Sequence, residues 1–255
     1  MQNSFLDPLA LDSSFLNASP LTPCREWFDG HAIQVQPLRA TVRIDNDLDH
    51  IARFIGERYD QVSPLLKACK QAINGSGMTS ISLASASAVT INDCCQLAAN
   101  LHRRNMLRSY QYDRRSRQLF TQPPVNNRVA HFLTGGWFER FIQMQVKGYM
   151  ADRSISATVQ SNLHIVAPTG ATYELDLFVI AGSRPILIEC TTGSCSAHLR
   201  RLHEKSQLLH LTKQQTILVS AHSSDAYVRT QTATQPVTFT NRRHFLYALN
   251  EALQA

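Results

Sequence analysis

The chain has 255 residues, 44% of them hydrophobic and 17% charged. It is too long for a disulfide-stapled mini-protein, too apolar for a disordered tract, and long enough to bury a substantial core. No apolar run approaches the ~18–20 residues that span a bilayer. The N-terminus, Met1-Gln-Asn-Ser-Phe-Leu-Asp-Pro8, lacks the basic and apolar regions of a secretory signal, so a soluble, cytoplasmic protein with no membrane partner is expected.

In chain order, residues 1–45 read as a loosely ordered arm, with short strands suggested between His31 and Ile44 by Ile33, Val35, Val42 and Ile44. Asp45-Asn46-Asp47 offers N-caps for a helix to about Ile73. Ile51, Phe54, Ile55, Tyr59, Val62, Leu65, Leu66 and Cys69 recur on it at three- and four-residue intervals, Pro64 is a kink site, and Asn74-Gly75 is a stop. A strand is expected over Met78–Leu83, then a helix starting with a capping-box-like Thr90-Ile-Asn-Asp93. Two strands, Leu107–Tyr112 and Arg117–Phe120, flank Asp113-Arg-Arg-Ser116 as a hairpin. This order suggests a winged-helix-like segment, although only Ser85–Val89 remains for the usual middle helix. Pro123-Pro124 reads as a linker dividing 46–124 from 125–255.

The second part reads as a helix from Arg128 or Gly136 to Val146, strands over Leu163–Ala167, Tyr173–Ile180 and Pro185–Thr191, and a helix over Ala197–Leu211. A strand over Thr216–Ser220, a Ser/Thr-rich loop, a strand over Val237–Thr240 and a last helix over Arg243–Leu253 complete it. The fold class expected is mixed α/β: a winged-helix-like N-terminal domain followed by an αβββαβ domain.

The net charge of +6 is concentrated. Between residues 101 and 130, Arg103, Arg104, Arg108, Arg114, Arg115, Arg117 and Arg128 face one acid, Asp113, and the rest of the chain is neutral. With Tyr110 and Tyr112 interleaved, the block supplies phosphate contacts and stacking surfaces, so nucleic acid, DNA or RNA, is the expected partner. A solvated basic face, or arginines paired with a neighbouring domain, is the plainer alternative. Cys24, Cys69, Cys94, Cys95, Cys190 and Cys195 show no C-x-x-C spacing and read as reduced thiols. A zinc site from Cys195, His198 and His203 lacks a fourth ligand.

Asp176 and Glu189 interrupt the apolar runs Leu175-Asp-Leu-Phe-Val-Ile180 and Ile186-Leu-Ile-Glu-Cys190. Strict alternation would put Glu174, Asp176 and Phe178 on one face of their strand, and Leu187, Glu189 and Thr191 on one face of the next. Burying two neighbouring carboxylates costs several kcal/mol (about 2–7 per uncompensated polar group) unless a cation or strong donors compensate. A hard divalent ion, Mg²⁺ or Mn²⁺, is the simplest compensation, with Glu139 on the preceding helix as a third oxygen ligand.

Gly135-Gly-Trp-Phe-Glu139, Glu174-Leu-Asp176, Ile188-Glu-Cys-Thr-Thr-Gly193 and the helix after them resemble the PD-(D/E)XK, or restriction-endonuclease-like, superfamily. Within it they are similar to the nuclease domain of CRISPR-associated effectors that carry a CARF sensor and a winged-helix-like segment. The likeness covers about residues 128–220. It implies that Glu139, Asp176 and Glu189 hold the metal, with a function in phage or mobile-element defence. No CARF domain is expected here, since about 45 preceding residues are too few for a Rossmann-type unit.

The pattern departs at Thr191, which stands where the family has the lysine of its E-x-K. Arg200, Arg201 and Lys205 on the following helix are candidates for a displaced positive charge, or for phosphate contacts or a solvated face. Three readings stay open: a metal-dependent nucleic-acid phosphodiesterase with catalytic Glu139, Asp176 and Glu189, a catalytically silent nuclease fold that binds DNA or RNA, and a purely structural protein in which Asp176 and Glu189 pair with arginines. A homodimer is left open.

Overall fold

In the computed structural model, the structure describes residues 22–36, 46–75 and 77–255. The arm up to residue 21, the strand residues Val42 and Ile44, and the Asp45 cap lie outside them. The N-terminal elements are α1 (Thr22–Asp29), β1 (Gln34–Val35), α2 (Asn46–Glu57), α3 (Tyr59–Ile73), β2 (Thr79–Ser82), α4 (Ala88–Arg103), β3 (Ser109–Asp113) and β4 (Gln118–Gln122). After them come α5 (Asn127–His131), a π-turn (Phe132–Gly136), α6 (Trp137–Asp152), β5 (Ala157–Val166), β6 (Thr172–Ala181) and β7 (Arg184–Thr191). The chain closes with α7 (Cys195–Leu208), β8 (Thr216–Ser220), α8 (Asp225–Thr234), β9 (Thr238–Asn241) and α9 (Phe245–Gln254). The expected mixed α/β class is observed. Among the described residues no helix is long and apolar enough to cross a membrane.

Six strands form the main sheet in the order β1-β5-β6-β7-β8-β9, antiparallel as far as β7 and parallel from β7 to β9. β8, Thr-Ile-Leu-Val-Ser, is buried at every position, as befits a parallel strand covered on both faces. One face packs Leu177, Val179, Ile186, Ile188, Ile217 and Val219 against α6 and α9. The other packs Phe178, Ile180, Leu187, Leu218 and Phe239 against Phe28 of α1 and Leu199 and Leu202 of α7.

A second sheet, β2-β4-β3, lies with α3 and α4. Leu119 of β4, Leu97 of α4, Leu65 of α3, Trp137 of α6 and Val219 of β8 belong to one continuous apolar cluster, so side chains on both sides of Pro123-Pro124 share a core. Tyr59 stacks on Trp137 with ring centroids 5.4 Å apart. Gly56 lets α2 cross α6, because a Cβ there would sit 2.3 Å from the Phe141 ring. Trp137 is a core anchor rather than a stacking platform.

Several local expectations need correction. The break in the first long helix falls at Arg58, which has ψ 23°, and Pro64 is carried inside α3. α4 starts one turn earlier than expected, because Ser87 rather than Thr90 is the cap: its Oγ accepts the Thr90 N–H at 3.1 Å. The helix expected from Arg128 or Gly136 is instead α5 and α6 joined through the π-turn. The Ser/Thr-rich loop contains α8, and part of the expected arm forms α1.

Candidate active site

The acids are gathered where the sheet changes its register of faces. β5 pairs Ser161 with Leu177 and Leu163 with Leu175, and between these pairs Asn162 adopts a left-handed φ of 52°. On β6, Leu177 and Val179 face one core while Leu175 lies in the opposite core with Phe178 and Ile180. The alternation therefore reverses at Asp176, which corrects the expectation that Glu174, Asp176 and Phe178 share a face. Glu174 is exposed.

The ladder between β6 and β7 ends at Leu177–Ile188, and beyond it side chains replace backbone acceptors. Asp176 Oδ2 accepts the Cys190 N–H at 2.8 Å, and Glu189 Oε1 accepts the Asp176 N–H at 3.3 Å. The two carboxylates are thus built into the strand fork, each bound to the backbone of the other's strand.

Lys205 enters this fork from α7. Its Nζ is 2.7 Å from Glu189 Oε2 and donates to the Glu174 carbonyl at 2.6 Å, with both Lys205 and Glu189 buried. Arg200 and Arg201, the other two candidates, are exposed. The sequence carried a signal that separates them: Cys195, Leu199, Leu202 and Leu209 form the buried stripe of α7 and its end, and Lys205 falls on the same stripe.

Glu139, in the first turn of α6, completes the acidic group. Burial, then Asp176, Glu174 and Glu189, push its carboxyl up to about 8. Burial and Asp176 likewise raise Glu189 to about 7, against the opposing pull of Lys205. Asp176 is also raised, chiefly by burial. Burial and the same acids keep the Cys190 thiol neutral. Beside them His198 is lowered, mainly by burial.

Thr191 is buried, and its Oγ1 accepts the Gly193 N–H at 3.1 Å. At this position the chain has a turn-forming hydroxyl and no cation. Among the described residues no three His, Cys, Asp or Glu side chains converge as metal ligands do. Neither the Cys195, His198 and His203 zinc alternative nor the expected Glu139, Asp176 and Glu189 metal triad is therefore assembled as a three-ligand group. All six cysteines are free. Glu139 also lines a cavity of about 210 Å³ with Arg128, His131, Gln143 and Asn162.

The basic block lies on α4 and the β3–β4 hairpin. Arg103, Arg108, Arg114, Arg115, Arg117 and Tyr110 are exposed, while Arg104 and Tyr112 are half-buried. Asp113 closes the hairpin tip by accepting the Arg115 N–H at 2.9 Å and the Ser116 hydroxyl at 2.6 Å. Arg117 donates to the Ala84 carbonyl at 3.1 Å. Sequence reasoning missed Asn162, the Glu174 carbonyl and the pairing of Thr192 with Thr134. Asn within an otherwise strand-like run is the one signal that pointed to a bulge.

No protein-family model matches the chain, and no curated protein matches it. Solved structures do. Can2 from Sulfobacillus thermosulfidooxidans, determined in complex with cyclic tetra-adenylate, superposes with a TM-score of 0.62 at 10% identity, over 91% of this chain and 60% of Can2. The chain shares the fold of the matched part of Can2. Protein VC1899 from Vibrio cholerae is similar with a TM-score of 0.56 at 15% identity, over 90% of this chain and 60% of that one. The chain therefore spans about three-fifths of the length of each of these proteins.

Proposed function

We propose that the protein is a metal-dependent nucleic-acid phosphodiesterase of the PD-(D/E)XK type, in which Lys205 does the work of the motif lysine. The observation that carries this reading is the buried Lys205 ammonium 2.7 Å from Glu189. It brings the positive charge that Thr191 lacks to the carboxylate where the motif needs it. The fold shared with Can2, together with the Gly135–Glu139, Glu174–Asp176 and Ile188–Gly193 motifs, supports a role in CRISPR-associated or related defence.

The donor set fits a hard divalent ion. Burial, and then neighbouring carboxylates, raise the proton affinity of all three acids around a single ammonium, an anionic excess that a cation relieves. Asp176 and Glu189, in contact across the fork, would hold Mg²⁺ or Mn²⁺ with waters completing the shell, and Glu139 adds charge beside them. When bound, such an ion acidifies a water and neutralises charge on the phosphate.

The chain's own groups then divide the remaining work. Lys205, locked by Glu189 and the Glu174 carbonyl, presents an N–H donor and a fixed positive charge to a phosphate oxygen or to the attacking water, stabilising charge that builds on phosphorus. Arg103, Arg108, Arg114, Arg115 and Arg117 grip the backbone through the winged-helix-like segment, with Tyr110 and Tyr112 offering stacking faces.

Thr191 favours a second reading, a silent fold that only binds DNA or RNA, because its hydroxyl is committed to Gly193. Cleavage of circular single-stranded DNA, plasmid and RNA with Mg²⁺ or Mn²⁺ separates the two. The first reading expects cleavage that Asp176→Ala and Glu189→Ala abolish. An inert wild type that still binds nucleic acid establishes the second.

A further inference from the structure

A hydrogen bond joins the π-turn before the helix that carries Glu139 to the segment just after the strand that carries Glu189. Thr192, immediately after β7, donates its Oγ1 hydroxyl to the carbonyl oxygen of Thr134 at 2.8 Å. Thr134 lies in the π-turn, whose wider coil offsets α6 from α5, and such turns recur at functional sites.

Both ends of this bond are held. The Thr134 hydroxyl donates to Ala130 O at 2.8 Å, and a Cβ on Gly136 would lie 2.7 Å from the His131 ring, so the turn closes tightly on α5. Gly135 lies beside the bond: a Cβ there would come 3.8 Å from the Thr192 hydroxyl, an ordinary contact. On the strand side, Gly193 N–H donates to Thr191 Oγ1 at 3.1 Å, and Ala221 N–H to Thr191 O at 3.0 Å. Thr192 is therefore presented from a fixed backbone.

We propose that Thr192 is a positioning residue, whose hydroxyl on the Thr134 carbonyl sets the separation between Glu139 and the Asp176–Glu189 pair. This rests on the phosphodiesterase reading for the purpose that separation serves. Groups that support ligands without touching the ion typically change affinity or activity by about 10–100-fold when removed. Gly136, prominent in the sequence, gains a role as the small residue that lets the turn close on His131.

The test compares Thr192→Val, which keeps the shape and removes the donor, with Thr192→Ser, which keeps the donor. Mn²⁺ alone is titrated calorimetrically, kcat and KM are measured on single-stranded DNA and RNA, and amide exchange is followed over residues 135–139. The expected result is a roughly tenfold or larger loss of Mn²⁺ affinity and kcat in Thr192→Val. KM for nucleic acid stays unchanged, exchange over 135–139 is faster, and Thr192→Ser recovers all three.

Wild-type values in Thr192→Val, or a Thr192→Ser as impaired as Thr192→Val, overturn the proposal. Should Thr192→Val melt early, Thr192→Ser against Thr192→Ala is the comparison read. A wild type that neither takes up Mn²⁺ nor cleaves overturns the phosphodiesterase reading and this role with it. Amide exchange over 135–139 then shows separately whether the Thr192–Thr134 bond holds the turn.

Discussion

Lys205 and Glu189 form a buried ion pair, Nζ to Oε2 2.7 Å, between α7 and the strand fork. Removing Lys205 leaves Glu189 buried without the ammonium that opposes its rise, and removing Glu189 leaves a buried ammonium without its partner. Lys205→Met is expected to cost up to about 3–5 kcal/mol, most of it above about pH 7 where Glu189 must ionise. The double variant Lys205→Met/Glu189→Met should recover much of that loss, and urea denaturation of the four proteins of the cycle measures the coupling. Additive losses would show that the pair is not coupled.

Thr191→Lys is expected to harm rather than restore. The side chain it replaces is 3% exposed and bonded to Gly193 N–H. A lysine there must displace packed neighbours and stand near Lys205, at a cost of about 2–3 kcal/mol. Thermal melting together with the cleavage assay checks this: a lower Tm and no gain in rate.

The acidic group makes stability fall as pH rises when no divalent ion is present. A carboxyl raised by folding still holds its proton in the native state after the unfolded chain has lost it. The stabilisation is complete below the unfolded value of 4.5 and disappears as pH climbs through about 7 for Glu189 and about 8 for Glu139. In EDTA, Tm should decline across this window. Glu139→Gln should raise Tm at pH 8 by about 2–4 °C, and Mg²⁺ should flatten the decline in the wild type. Equal slopes with and without Mg²⁺ would contradict the assigned donors.

Arg114 and Arg115 sit exposed at the tip of the β3–β4 hairpin. Replacing either with Ala should weaken nucleic-acid binding similarly across sequences and lower the slope of log K against log salt by about 1. Fluorescence anisotropy over a salt series measures both quantities. An unchanged slope would remove the hairpin from the interface.

Gly56→Ala tests how the N-terminal helices meet the sheet domain. The added methyl would meet Phe141 at 2.3 Å, and a loss of about 2–3 kcal/mol is expected in urea denaturation.

The elements that the sequence made legible are those with a clear apolar period. β8 was read to the residue, and β6 and β7 to within one, because Val, Ile and Leu runs end at Gly, Arg or Ser. α8 was missed because it has no buried residue and thus no apolar stripe; its start depends on Ser224, whose Oγ accepts Tyr227 N–H at 3.3 Å. Asp176 and Glu189 stood out as acids inside apolar runs. The reversal of faces at Asp176 did not, since period-two reasoning assumes an unbroken pleat and Asn162 breaks it. Choosing Lys205 over Arg200 and Arg201 needed the helix's buried stripe. The Thr192–Thr134 bond joins residues 58 apart and leaves no local pattern.

The measurement that bears most directly on the central claim is the single-turnover cleavage rate of Lys205→Met in saturating Mn²⁺, beside the wild type, Arg200→Ala and Arg201→Ala. A lysine that stabilises charge at phosphorus predicts a loss of about 10²-fold or more in Lys205→Met, with both arginine variants within about threefold of the wild type. Full activity in a folded Lys205→Met would contradict the assignment and leave the Lys205–Glu189 pair a structural one.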